Sequence, residues 1–172
     1  MELKPYSKPF NSRYYLVPRI NKEKFRKELK RLLEVVLLTP VQQIQYGTPV
    51  FIVPKKEGTA GFITDYHRLN QKLVRNPYHL PKIGDTMHQL QVFQYATALD
   101  LNMGYYTISL SPTSQDMMTI VTEFGIFRYN RLPIGMCASG DILQAKGDEL
   151  LGDIEGVKTY IYDILILRKN RF

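Results

Sequence analysis

One cysteine, Cys137, stands in 172 residues. A single thiol cannot close an internal disulfide, which points to a reducing compartment, cytoplasmic or nuclear. No stretch approaches the roughly 18 uncharged apolar residues that a membrane helix needs, and the N-terminus lacks a signal-peptide pattern. No membrane partner is expected. Eleven Gly and ten Pro are near average usage, so a collagen-like or low-complexity chain is excluded. Internal repeats and linkers are absent. Acidic residues are the scarce charge: 16 Asp and Glu face 23 Lys and Arg, a formal net charge of +7. That excess favours a polyanionic partner, with nucleic acid ahead of anionic membrane, and a solvated basic surface is the plain alternative.

What is present reads as a globular α+β chain, 44% apolar and 12% aromatic. The first twenty residues, with Pro5, Pro9 and Pro18, read as an extended arm. Phe25, Leu29, Leu32, Leu33 and Val36 recur at helical spacing behind Asn21 as N-cap, with Lys22, Lys24, Arg26, Lys27, Lys30 and Arg31 on the outer face. Val50–Val53 and Phe62–Thr64 flank Pro54–Gly58 as a hairpin. A short helix is predicted from Pro81 through Ile83, Met87 and Leu90, followed by strands over Ala96–Leu101 and Tyr105–Leu110. Thr119–Thr122 and Ile126–Leu132 form a second strand pair, and Ser139 caps a helix reaching Leu151. A last hairpin, Thr159–Ile161 with Ile164–Leu167, turns at Tyr162-Asp163. Helices and antiparallel pairs alternate without a βαβ rhythm, so a doubly wound sheet is disfavoured.

Two acids stand out. Asp100 lies between Leu99 and Leu101 in an otherwise apolar strand, and Asp163 lies at the tip of an apolar hairpin. A strand buried on both faces rarely keeps a carboxylate without a partner or a metal. Capping or turn formation explains both acids equally well. If they converge, they make a hard oxygen site for Mg²⁺, and hence for phosphoryl transfer.

Four segments are specific in combination: Phe62–Asn70 (FITDYHRLN), Leu99–Tyr106 (LDLNMGYY), Leu132–Ser139 (LPIGMCAS) and Tyr160–Leu165 (YIYDIL). In this order they resemble the blocks of reverse transcriptases, RNA-directed DNA polymerases of the Ty3/gypsy long-terminal-repeat kind. The resemblance implies a right-hand polymerase fold with fingers (about residues 1–75 and 108–138) and palm (76–107 and 139–172), ending before the thumb. It implies two Mg²⁺ or Mn²⁺ ions, a primed RNA or DNA template and deoxynucleoside triphosphates. The protease, ribonuclease H and integrase of the ancestral polyprotein are not expected on this chain. Asp100 matches a metal-binding aspartate and the Leu101 carbonyl a further oxygen ligand. Tyr105 matches the aromatic gate that excludes a 2′-hydroxyl, and Gln144 the template-side glutamine. Lys55, Lys56, Asp65 and Arg68 match the hairpin that closes over the triphosphate. Each of these also has an ordinary reading as a core tyrosine, surface charge or turn residue.

The sequence departs from that pattern. The family hairpin is Tyr-x-Asp-Asp, and here it is Tyr160-Ile161-Tyr162-Asp163, so a metal ligand is replaced by Tyr162. A phenol with a pKa of about 10 is neutral at pH 7 and a poor Mg²⁺ ligand. Gly61 stands where the family has a triphosphate-binding arginine, and Gly140 where it has proline. Gly140 and Gly147 within one helix each cost roughly 1 kcal/mol against a good helix former. The expectation is a decayed element whose polymerase activity is impaired. A non-catalytic nucleic-acid-binding remnant is the alternative of a different class. A metal-dependent nuclease has less support, because no further His or acid cluster accompanies the two aspartates.

Overall fold

The computed structural model describes residues 1–54, 60–81 and 93–169. The chain divides into two compact units, Met1–Val74 with Tyr106–Met136, and Arg75–Tyr105 with Cys137–Phe172. Among the described residues no helix is long and apolar enough to cross a membrane.

The first unit is built on β3 (Tyr46–Pro54), whose Val50-Phe51-Ile52-Val53 run is β-branched and aromatic. β3 pairs in parallel with β1 (Phe10–Asn11) and with β6 (Thr119–Thr122), and antiparallel with β4 (Ala60–Thr64). β6 continues antiparallel into β7 (Gly125–Tyr129), and β7 into β2 (Leu38–Pro40). Among the described residues this unit has three α-helices: α1 (Lys22–Glu34), α2 (His67–Lys72) and α3 (Pro112–Met117). α1 buries Phe25, Leu29 and Leu32, and the Phe25 ring lies 5.0 Å from Phe62 of β4 and 5.4 Å from Phe124. Burying each such side chain contributes about 1.5–3 kcal/mol, far more than the propensity of the sequence itself.

The outer face of α1 is less basic than its composition suggests. Lys22 pairs with Glu123, Arg26 with Glu23, Lys30 with Glu34 and Arg31 with Glu28. The N-terminal arm is not free either. Phe10 and Asn11 form β1, and Leu3 bridges Leu73.

The second unit is a three-stranded antiparallel sheet in the order β5 (Tyr95–Asp100), β9 (Asp163–Arg168), β8 (Val157–Tyr160), with α4 (Ser139–Leu151) against β8. All six residues of β5 are exposed, so the premise that Asp100 sits in a strand buried on both faces does not hold. Three other expectations change. Tyr105–Leu110 is not a strand: Gly104–Thr107 forms a 3₁₀ turn, and only Ser109 bridges, to Arg131. The last hairpin turns one residue earlier, at Ile161-Tyr162, which makes Asp163 the first residue of β9. Ala138, not Ser139, occupies the N-cap of α4, and Asn21 at the α1 N-cap makes no side-chain capping bond. The helix predicted after Pro81 and the tip of the β3–β4 hairpin lie outside the described residues.

Gly147 has a packing reason. A Cβ there would sit 3.3 Å from the Thr159 Cβ, so the missing side chain lets α4 approach β8 closely. Gly140 has no such constraint, because its Cβ would meet only Ile161 Cδ1 at 3.8 Å. Gly140→Ala therefore raises stability by roughly 0.5–1 kcal/mol in urea unfolding. Gly147→Ala brings the same propensity gain and loses it to the Thr159 contact, giving no net increase.

Candidate active site

The site residues of the second unit are assembled by strand register. Asp100 ends β5 and Asp163 begins β9, and the two are directly opposed Cα partners. Directly opposed residues in an antiparallel pair share one face, with Cβ atoms about 4.5–5.5 Å apart. Both are exposed. The two carboxyl-bearing side chains therefore rise from one face at the same end of the strand pair.

Past Asp100 the chain is tied to the hairpin. The Leu101 N–H donates to the Tyr162 carbonyl at 2.9 Å, and the Leu101 carbonyl accepts from Gly104 N–H at 2.9 Å. One lone pair of that carbonyl is therefore already used. Gly104 is closely approached: a Cβ there would lie 3.2 Å from the Leu101 Cβ and 3.4 Å from the Tyr162 Cβ. Tyr162 is 41% exposed, and its ring meets Tyr105 edge-on, with centroids 6.2 Å apart and planes at 63°. Burial, and secondarily Tyr162, push the Tyr105 phenol above its ordinary pKa.

The turn that presents Tyr162 and Asp163 is strained. Ile161 has φ +56°, a left-handed conformation that costs a β-branched residue about 1–2 kcal/mol. Its N–H donates to Gln144 Oε1 at 2.7 Å. Gln144, matched by resemblance to a template-side residue, is completely buried. Its Nε2 donates to the Thr159 carbonyl at 3.2 Å, to Thr159 Oγ1 at 3.0 Å and to Asp148 Oδ1 at 2.9 Å. The amide thus faces the hairpin and not an open surface.

Asp141, Gln144 and Asp148 form a polar stripe on α4 at i, i+3 and i+7, of which the sequence reading named Gln144 alone. Asp141 is buried with Arg75 Nε at 3.5 Å, and Asp148 Oδ1 also accepts the Thr159 hydroxyl at 2.6 Å. The signal was available: three polar residues at helical spacing on one side of a helix.

In the first unit, Asp65 and Arg68 are engaged with the N-terminal arm. Asp65 Oδ2 accepts the Tyr15 hydroxyl at 2.9 Å, and Oδ1 faces His67 Nδ1 at 2.6 Å. Arg68 donates to Ser12 Oγ at 3.2 Å and covers the Phe10 ring at 4.6 Å. Gly61 pairs with Val53, and Lys55 and Lys56 lie outside the described residues. Among the described residues no three His, Cys, Asp or Glu side chains gather as a metal cluster.

This architecture matches solved structures over nearly its whole length. The prototype foamy virus protease-reverse transcriptase superposes with a TM-score of 0.83 at 24% identity, covering 95% of this chain and 22% of that one. The foamy viral protease-reverse transcriptase in complex with RNA/DNA hybrid matches with a TM-score of 0.79 at 22% identity, covering 96% of this chain and 22% of that one. The fold is that of a reverse transcriptase, part of the polymerase right hand. No family model matches the chain. In sequence it is 27% identical over 167 residues to the retrovirus-related Pol polyprotein from transposon 412 of Drosophila melanogaster, covering 92% of this chain and 13% of that protein. It is 29% identical over 152 residues to the gypsy counterpart from the same organism, covering 83% of this chain and 14% of that protein. It is 32% identical over 124 residues to the transposon Tf2-3 polyprotein of Schizosaccharomyces pombe, covering 71% of this chain and 9% of that protein. The chain is thus a relative of the Pol polyproteins of Ty3/gypsy-type and Tf2 retrotransposons, and it spans about an eighth of the length of the first of them.

The His67 contact holds the Asp65 carboxyl below its ordinary pKa, with Tyr15 adding to the effect. A carboxylate whose folded value lies below its unfolded value of about 4 contributes fully above that pH and is lost as pH falls through the folded value. The Tyr15–Phe51 ring contact, followed by NMR, therefore persists at pH 6 and weakens on acidification below about pH 4. Asp65→Asn removes that pH dependence.

Proposed function

We propose that this chain carries the fingers (first unit) and palm (second unit) of a retrotransposon RNA-directed DNA polymerase, and that this copy is impaired in nucleotidyl transfer. The observation that carries the reading is the opposed pair Asp100, at the end of β5, and Asp163, at the start of β9, with Tyr162 preceding Asp163 in the turn. The retrotransposon relatives and the reverse transcriptase fold support the first half, and Tyr162 the second.

The donor set fits one hard cation better than two. Asp100, Asp163 and the Leu101 carbonyl are oxygen donors of the kind Mg²⁺ or Mn²⁺ takes, but only two are carboxylates. Divalent cations supply such a site with charge neutralisation and an activated attacking oxygen when bound. In place of the third acid that a two-ion centre draws on stands the Tyr162 phenol, whose ring meets Tyr105 edge-on. Tyr105, half-buried beside Tyr162, is positioned to limit the room for a sugar 2′-hydroxyl and so to favour deoxynucleoside triphosphates. Gly61 leaves the fingers without the cation that would grip a triphosphate, a charge-assisted contact of about 1.5–3 kcal/mol.

A second reading, nucleic-acid binding without chemistry, is favoured by the net charge of +7. It is supported also by solved foamy viral protease-reverse transcriptases in complex with double-stranded DNA and RNA/DNA hybrid.

Primer extension on an RNA template with Mg²⁺ or Mn²⁺ separates the two. Tyr162→Asp extends primer at least about 100-fold faster than the native chain, the size of effect one electrostatic group at a reacting centre has. Asp100→Asn added to that variant abolishes extension while leaving salt-sensitive primer–template binding intact. Extension by the native chain at the revertant's rate contradicts the impairment. Binding without extension by either protein favours the second reading.

A further inference from the structure

We propose that Asp148 is a positioning residue that, through Gln144, sets the aim of residues 162 and 163. The inference rests on the polymerase reading only for its consequence, since the geometry stands without it.

The Gln144 carboxamide has one acceptor and two N–H donors, and its buried surroundings admit one orientation. The Ile161 N–H is the donor it meets, at 2.7 Å from Oε1. The groups on its other side accept: the Thr159 carbonyl, Thr159 Oγ1 and Asp148 Oδ1. Thr159 Oγ1 can accept from Gln144 because its own proton goes to Asp148 Oδ1, at 2.6 Å. Asp148 is therefore the acceptor on which two donors converge. It fixes the Thr159 hydroxyl and the Gln144 amide together, and so leaves Oε1 for Ile161. Without that acceptor the Thr159 carbonyl alone holds the Nε2 side, the Thr159 hydroxyl is free to turn its proton toward the amide, and the bond that offsets the strain of the left-handed Ile161 weakens. The turn then relaxes, carrying Tyr162 away from Tyr105 and Asp163 out of opposition to Asp100.

The experiment compares the full chain with Asp148→Ala and Asp148→Asn. Asparagine keeps an oxygen for Gln144 and Thr159, so it should rescue what alanine loses. Asp148→Ala is expected to speed amide exchange at Ile161 by about fivefold or more, the factor one lost hydrogen bond gives. It is also expected to remove the NMR contact between the Tyr105 and Tyr162 rings. Asp148→Asn keeps that ring contact and holds the exchange rate within about twofold of the native chain. Unchanged exchange and ring contact in Asp148→Ala overturn the proposal, as does equal loss in Asp148→Asn. Should Asp148→Ala fail to melt cooperatively, Thr159→Val carries the test: it removes the relay hydroxyl, and full retention of the Ile161 bond overturns the coupling. Both readouts are independent of polymerase activity, so a failed primer extension and a failed Asp148 relay are told apart.

Discussion

The register of β5 on β9 is the constraint on which the second unit depends. Strand side chains alternate with a period of two, so a slip of one residue would send Asp100 to the opposite face from Asp163. Six consecutive pairs, from Tyr95–Arg168 to Asp100–Asp163, hold that register. The bond from Leu101 N–H to the Tyr162 carbonyl locks its end. Everything chemical about the unit follows from this alignment. It brings two carboxylates from residues 63 apart in the chain to one end of the sheet, and the hairpin turn then decides which side chain joins them.

That third side chain separates ancestry from chemistry. The scaffold needs Tyr162 only as a turn residue, and its carbonyl bond to Leu101 is indifferent to what the side chain is. A fold can therefore stay complete while a catalytic set loses a member, because the backbone interactions that shape the turn and the side-chain charge that would bind a cation are separate. The relation to retrotransposon Pol proteins is carried by the first, and the proposed impairment by the second.

Strong periodic or β-branched runs were legible in the sequence. α1, the β3–β4 pair, the β6–β7 pair and α4 declared themselves through apolar spacing and turn residues. The short elements did not. α2 has six residues and no side-chain cap, and β2 has three residues whose partner, β7, is distant in sequence. α3 did carry a signal, Ser111 accepting the Ser114 N–H ahead of Pro112, but six residues show too little periodicity to rank it. At the site, Asp100 and Asp163 were legible as lone acids in apolar surroundings, although the surroundings are more open than those runs suggested. Gln144 was legible only as a motif position. Its partner Asp148 was there to be read one turn on along the same helix, whereas Thr159 was not, because a hydrogen-bond relay between a helix and a strand has no sequence period.

β5 has a physical consequence for the isolated chain. It ends the described sheet, and its outer N–H and C=O groups have no strand beyond them. Tyr95-Ala96-Thr97-Ala98-Leu99 contains no proline, lysine or other charge before Asp100 to blunt that edge. The restraint on edge-to-edge pairing is the mutual repulsion of chains that each carry +7. Salt screens that repulsion over about 10 Å at 0.1 M and leaves backbone pairing untouched. Solubility of the isolated chain is thus an electrostatic property more than a structural one, and it declines in the same ionic conditions that loosen a phosphate backbone from a basic surface.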